Sequence, residues 1–174
     1  MPERELALSV RQEDLLMRTI DAVFQWYQQA DTKAQTILGF TGIFLGIIAA
    51  PLLAGAKASG SLTAFDVSML LLTIITASAG IVLSVAALWS RGMFGLGPAG
   101  IHFFGHIAAF TEAPRLLEAI ATMSFTEHLQ GLSTEILILS KNTKRKHRLV
   151  DAAAVSAGAA LLSIVVLIFS VLLE

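Results

Sequence analysis

Between residues 36 and 56 and between 67 and 90 the chain carries no Asp, Glu, Lys or Arg, and between 149 and 173 only Asp151 interrupts the apolar run. A helix rises about 1.5 Å per residue and the hydrocarbon layer of a bilayer is about 30 Å thick, so roughly 20 apolar residues cross it. Each of the three runs meets that length. Mean hydropathy is +0.74, with 55% hydrophobic and only 14% charged residues, values that belong to polytopic membrane proteins and not to soluble domains. Little sequence remains for a separate enzymatic domain.

Charge marks the aqueous segments. It is confined to 1–33 and 91–151, apart from Lys57, Asp66 and Glu174. The first 35 residues carry Glu3, Arg4, Glu5, Arg11, Glu13, Asp14, Arg18 and Asp21 in place of the short apolar core of a signal peptide, so the first span is expected to insert uncleaved. Lys and Arg are retained on the cytoplasmic side of a membrane. Arg4, Arg11, Arg18 and Lys33 precede the first run, Lys57 alone lies between the first and second, and Arg91, Arg115, Lys141, Lys144, Arg145, Lys146 and Arg148 lie between the second and third. This distribution predicts a cytoplasmic N-terminus and long loop, with the short loop and C-terminus outside.

The fold class that follows is an all-α membrane protein of three transmembrane helices. Residues 1–35 read as a cytosolic amphipathic helix, with Leu15, Leu16, Ile20, Val23, Phe24 and Tyr27 near helical spacing. Neither proline nor glycine occurs between Glu3 and Leu38, which predicts that this helix continues into the first span, 36–56. The second span covers 66–90. A cytosolic region, 91–148, combines a glycine-rich, aromatic interfacial loop with helices: Pro114 suits the first turn of one, and Leu129, Leu132, Ile136 and Leu139 form a ladder fit for a hairpin or a coiled-coil seam. The third span is 149–173.

All three spans carry small residues at helical spacing: Gly39, Gly42 and Gly46; Thr73, Ala77, Gly80, Ser84 and Ala87; Ala152, Ser156, Ala160 and Ser163. Such stripes let backbones approach closely in lipid, either within the bundle or between copies of the chain.

Chemistry-bearing patterns are sparse. His102 and His106 stand at i and i+4, but no third ligand lies close in sequence, and histidine beside Phe103 and Phe104 at a membrane interface is equally a packing residue. Cysteine is absent. Serine elbows, Walker-type loops and paired catalytic carboxylates are missing. No span holds a charge at its centre, which argues against a proton relay or coupled-ion transporter. The residues indicate no enzyme and require no cofactor. Asp31 and Lys33 at the mouth of the first span read as interface anchors or as gate residues holding the cytosolic loop. Lys141, Lys144, Arg145, Lys146 and Arg148 read as a topology signal contacting anionic lipid, or as a site for an anionic cytosolic ligand.

Four local patterns in order resemble the Pycsar transmembrane effector family of bacterial antiphage defence. Ala30-Asp31-Thr32-Lys33-Ala34 looks like its A-D-x-K-A entry to the first span, and Phe103-Phe104-Gly105-His106-Ile107-Ala108 like its F-F-G-x-I-A segment. Glu135-Ile136-Leu137-Ile138-Leu139-Ser140 is similar to Q-I-x-x-L-S, with Glu135 in place of glutamine. Lys146-His147-Arg148-Leu149 is similar to K-Y-x-x-L, with His147 in place of tyrosine. The resemblance implies a multi-pass effector of the bacterial inner membrane, answering cyclic CMP or cyclic UMP from a partner cyclase and impairing the membrane of the infected cell. It implies no role for a nucleic-acid polymer. The chain has no recognisable cyclic-nucleotide-binding β-roll, so Lys144, Arg145, Lys146 and Arg148 become the candidate ligand contacts, and Asp31, Lys33, Phe103, Phe104 and His106 the candidate gate. Gly39, Gly42 and Gly46, or Ala152, Ser156 and Ala160, would join copies into a homo-oligomer. The same helices would also serve a constitutive scaffold or a holin-like pore former.

Overall fold

The computed structural model of the chain describes residues 2–46, 63–89 and 111–173, with side chains between Val10 and Ser170. All regular structure among them is helical: α1 Pro2–Phe44, α2 Ala64–Trp89, α3 Ala113–Thr122 and α4 Phe125–Leu173. The apolar stretch begins inside α1 at Thr36; the remainder of the first expected span, from residue 47, lies outside the described residues. So does the interfacial loop through residue 110, with Phe103, Phe104, His102 and His106.

The third expected span is not a separate element. α4 runs 49 residues from Phe125, and the basic stretch Lys141 to Arg148 lies in its middle. No proline falls within α4, and each of its glycines, Gly131 and Gly158, costs roughly 1 kcal/mol relative to alanine, too little to end a helix that packing supports.

Two starts are set by reciprocal caps. At α4, the Ser124 N–H and hydroxyl donate to Glu127 Oε2 at 2.8 and 2.7 Å, while the Glu127 N–H returns to Ser124 Oγ at 3.3 Å. At α2, the Thr63 N–H and hydroxyl donate to Asp66 Oδ2 at 3.1 and 2.6 Å, and the Asp66 N–H returns to Thr63 Oγ1 at 3.2 Å. Each box satisfies amides that a helix start leaves without intrahelical partners.

The chain divides into two compact units. One gathers residues 1–28 and 91–144, the other 29–90 and 145–174. In the first, Val23, Tyr27, Leu132 and Thr143 are buried, and Glu13 of α1 meets His128 of α4 at 3.2 Å. Among the described residues two helices are long and apolar enough to cross a membrane, α2 in the second unit and α4, whose later part belongs to it. The core of the second unit joins Ala30 and Ala34 of α1, Ala87 of α2 and Val150 of α4. Farther along, Phe40, Thr41 and Phe44 line a small cleft with Ala77, Ala160 and Ile164.

This second unit is packed inside out relative to a soluble bundle. α2 buries Asp66, Thr73, Ala77, Gly80, Ser84 and Ala87 and turns Leu71, Leu72, Ile75, Val82 and Val85 outward. α4 likewise exposes Val155, Leu162, Val165, Val166 and Phe169. In water the hydrophobic effect would reverse that arrangement; in lipid, where tails are as apolar as leucine, small and polar residues are what bring helices together.

Candidate functional site

Asp31 lies in α1 beside core Ala30, and Lys146 lies in α4 one turn ahead of core Val150. The two side chains form an ion pair. Lys146 is 0% exposed and Asp31 7%, so neither charge is hydrated as a surface charge would be. Removing two charges from water costs several kcal/mol per ion, which mutual attraction recovers only in close geometry. Such a pair contributes little net stability when intact and penalises heavily the loss of either member.

Around Lys146 the other candidate ligand contacts have different environments. Lys144, Arg145 and Arg148 are exposed. Arg145 and Arg148 stand three residues apart on α4 and so share a face. Lys33, the second member of the candidate gate, is also exposed, whereas Phe103, Phe104 and His106 are outside the described residues. Of the candidate packing residues, Ala160 is buried, Ser156 is half-buried, and Ala152, Gly39, Gly42 and Gly46 face outward. The internally buried face of α4 takes Ala160 and Ser163 from that expected stripe and adds Val150, Ala153, Ile164 and Leu167. A methyl group added to Gly39, Gly42 or Gly46 would meet nothing within 4 Å among the described residues.

Polar contacts link α2 to α4. Ser170 donates to Asp66 Oδ1 at 3.0 Å, so the carboxylate that caps α2 also ties down the far part of α4. Thr73 Oγ1 and Ser163 Oγ are 2.7 Å apart. One hydroxyl donates to the other, and the remaining proton goes to a carbonyl of its own helix, Met69 or Ala160, each at 2.9 Å. At Gly80 the α4 backbone lies opposite: a methyl group there would stand 3.4 Å from the Ala153 carbonyl oxygen.

A family model described as the Pycsar effector protein domain, PycTM, matches residues 15–173. This chain belongs to the PycTM family. Searches among curated proteins and among solved structures found no match. Membership gives the ion pair a context. Asp31 stands in the A-D-x-K-A pattern and Lys146 opens the pattern before the last apolar run, so two stretches more than a hundred residues apart, which sequence reading treated as gate and ligand site separately, meet in one contact of this PycTM chain.

The third pattern departs from the family at Glu135. This side chain is half-buried, and burial pushes its carboxyl above the ordinary value, a penalty that glutamine at the same position avoids. In the sequence Asp66 marks only the edge of an aqueous segment and is not grouped with Thr63 or Ser170. The signal was available in Thr63-x-x-Asp66, and again in Ser124-x-x-Glu127, as the capping pattern ahead of an apolar run. Nothing local could have linked Asp66 to Ser170. Among the described residues no group of three or more His, Cys, Asp or Glu side chains is placed to hold a metal ion.

Proposed function

We propose that this chain is the membrane effector of an antiphage system signalled by a cyclic pyrimidine mononucleotide, cyclic CMP or cyclic UMP, and that its activation impairs the inner membrane and halts the infected cell. Family membership supports the setting, and one observation carries the mechanism: a buried ion pair, Asp31–Lys146, on a helix that also presents exposed Arg145 and Arg148. In this reading the chain crosses the membrane three times, N-terminus inside and C-terminus outside, as the distribution of Lys and Arg favours.

A cyclic mononucleotide carries a single phosphodiester charge and little else to attract a membrane protein. Exposed arginines are well suited to draw it in, because guanidinium groups pair bidentately with phosphate oxygens. An anion arriving beside Lys146 competes with Asp31 for the ammonium group. The paired arrangement of α1 and α4 then loses its advantage over alternatives, and a ligand shifts a helix-packing equilibrium by as much as it prefers one state. Outward-facing Gly39, Gly42 and Gly46 supply a surface on which the rearranged chains associate.

The test is membrane potential in cells expressing the chain, read with a potential-sensitive dye, with and without a co-expressed pyrimidine cyclase. Depolarisation only with the cyclase is the expected result. Depolarisation in both conditions would replace this reading with a holin-like pore former, and depolarisation in neither would replace it with a constitutive scaffold.

A further inference from the structure

We infer that the buried polar seam between α2 and α4 is a closed permeation path for hydrated monovalent cations. This inference rests on the reading of the chain as an effector that impairs the membrane, and it names the route by which it does so.

The seam has the right length. Lys146, Val150, Ala153, Ala160, Ser163, Leu167 and Ser170 succeed one another on α4 in steps compatible with one helical face, and all but the half-buried Ser170 are buried. From Lys146 to Ser170 the helix rises about 36 Å, a little more than the hydrocarbon layer. Carboxyl and ammonium groups stand at the two ends, Asp66 beside Ser170 and the Asp31–Lys146 pair at the other, while in the interval the hydroxyls of Thr73, Ser84 and Ser163 lie among alanines, Val150, Ile164 and Leu167.

The seal on the α2 side is made without large apolar side chains. Its buried residues are Asp66, Thr73, Ala77, Gly80, Ser84 and Ala87, so on this side the α4 backbone comes near at Gly80, and beside Ala77 the filling side chains come from α1, Phe40 and Phe44. Modest separation of the helices would open a gap with hydroxyls and a carboxylate along one wall.

Interhelical bonding explains part of this polarity but not all of it. Thr73–Ser163 and Asp66–Ser170 are satisfied bonds. Ser84 is 0% exposed and its hydroxyl has no hydrogen-bond partner. A buried polar atom without a partner is uncommon enough to require a reason; here the reason is that water reaches it when the seam opens. Two carboxylates against one ammonium give the path a field that favours cations.

The absence of cysteine makes the test direct. Ser84→Cys is close to isosteric and breaks no hydrogen bond of the closed state; Val82→Cys and Ile75→Cys place a thiol on the outward, lipid-facing side. Cells carrying each variant are treated from outside with a membrane-impermeant, positively charged thiol reagent, with and without a pyrimidine cyclase, while potential is followed in parallel. Cyclase-dependent labelling of Ser84→Cys alone, together with depolarisation, is the expected outcome. Cyclase-dependent depolarisation with Ser84→Cys unlabelled overturns the seam and leaves the proposed function standing; labelling without the cyclase overturns the closed state. Absence of cyclase-dependent depolarisation in the wild-type chain overturns the function and the seam together. A second variant, Asp66→Asn, is expected to shift the reversal potential of the activated conductance away from that of the permeant cation, and an unchanged reversal potential overturns cation selection by Asp66.

Discussion

At the scale of single residues, the charges that matter most are those the fold conceals. Lys146→Met leaves the Asp31 carboxylate buried without its partner, and breaking a buried pair in this way costs about 3–5 kcal/mol. The double variant Asp31→Asn with Lys146→Met removes both charges and is expected to recover most of that loss. Thermal unfolding in detergent micelles measures both; an unchanged midpoint for Lys146→Met would remove the pair from any account of stability. Two carboxyls outside the spans give opposite pH signs. The Ser124 amide, and after it the Ser124 hydroxyl, hold Glu127 below its ordinary value of 4.5, so the unfolded chain binds more protons and the contribution of Glu127, present above pH 4.5, fades as pH falls below it. Glu135 is held above the same value of 4.5 by burial. There the folded chain binds more protons, and its contribution, full below pH 4.5, is lost as pH rises through the raised value. Glu135→Gln is therefore expected to raise the unfolding midpoint at neutral pH and to flatten its dependence on pH above 4.5; a midpoint that falls would show that the carboxylate makes a favourable contact.

At the scale of elements, glycines sort by what lies across from them. Gly80 faces α4 with the Ala153 carbonyl 3.4 Å and the Ala157 nitrogen 3.5 Å from an added methyl group. That is ordinary contact distance, so Gly80→Ala is expected to fold as wild type. Gly80→Leu drives a branched side chain into the α4 backbone, and overpacking of this kind costs roughly 1–3 kcal/mol or more. Loss of folded yield in detergent should follow for leucine and not for alanine. A methyl group added to Gly42 or Gly46 would meet nothing within 4 Å among the described residues. The double variant Gly42→Leu with Gly46→Leu is expected to insert normally and to abolish cyclase-dependent toxicity by blocking association; toxicity that persists would remove this face as an interface.

At the scale of the whole molecule, the sign of packing is the diagnostic property. Within the second unit large aliphatic side chains such as Leu71, Ile75, Val82, Val155 and Leu162 face outward while hydroxyls, alanines and two ion-bearing contacts are inside. Soluble monomers rarely turn so many large apolar side chains to water. The chain is expected to stay with the membrane pellet after alkaline carbonate extraction and to enter solution only with detergent. Release by carbonate would contradict the inside-out reading of α2 and α4.

Much of this was legible in the sequence because the signals are local or periodic. Runs without charge announce helices for lipid, the absence of proline and glycine announces the long α1, and the α2 stripe Thr73, Ala77, Gly80, Ser84 and Ala87 coincides with five of its buried residues. Helical spacing fixes which residues share a face, whatever the neighbours are. It does not fix how that face is turned once three helices pack, which is why Ala153 and not Ala152 is buried in α4. Nor does it pair residues across the chain: Asp31 with Lys146, Thr73 with Ser163 and Asp66 with Ser170 are each chosen by the position of one helix against another. Composition and periodicity determined that helices form and which faces seek company; only tertiary packing decided which polar groups meet, because in lipid a buried charge or hydroxyl must find its partner on whatever helix lies opposite.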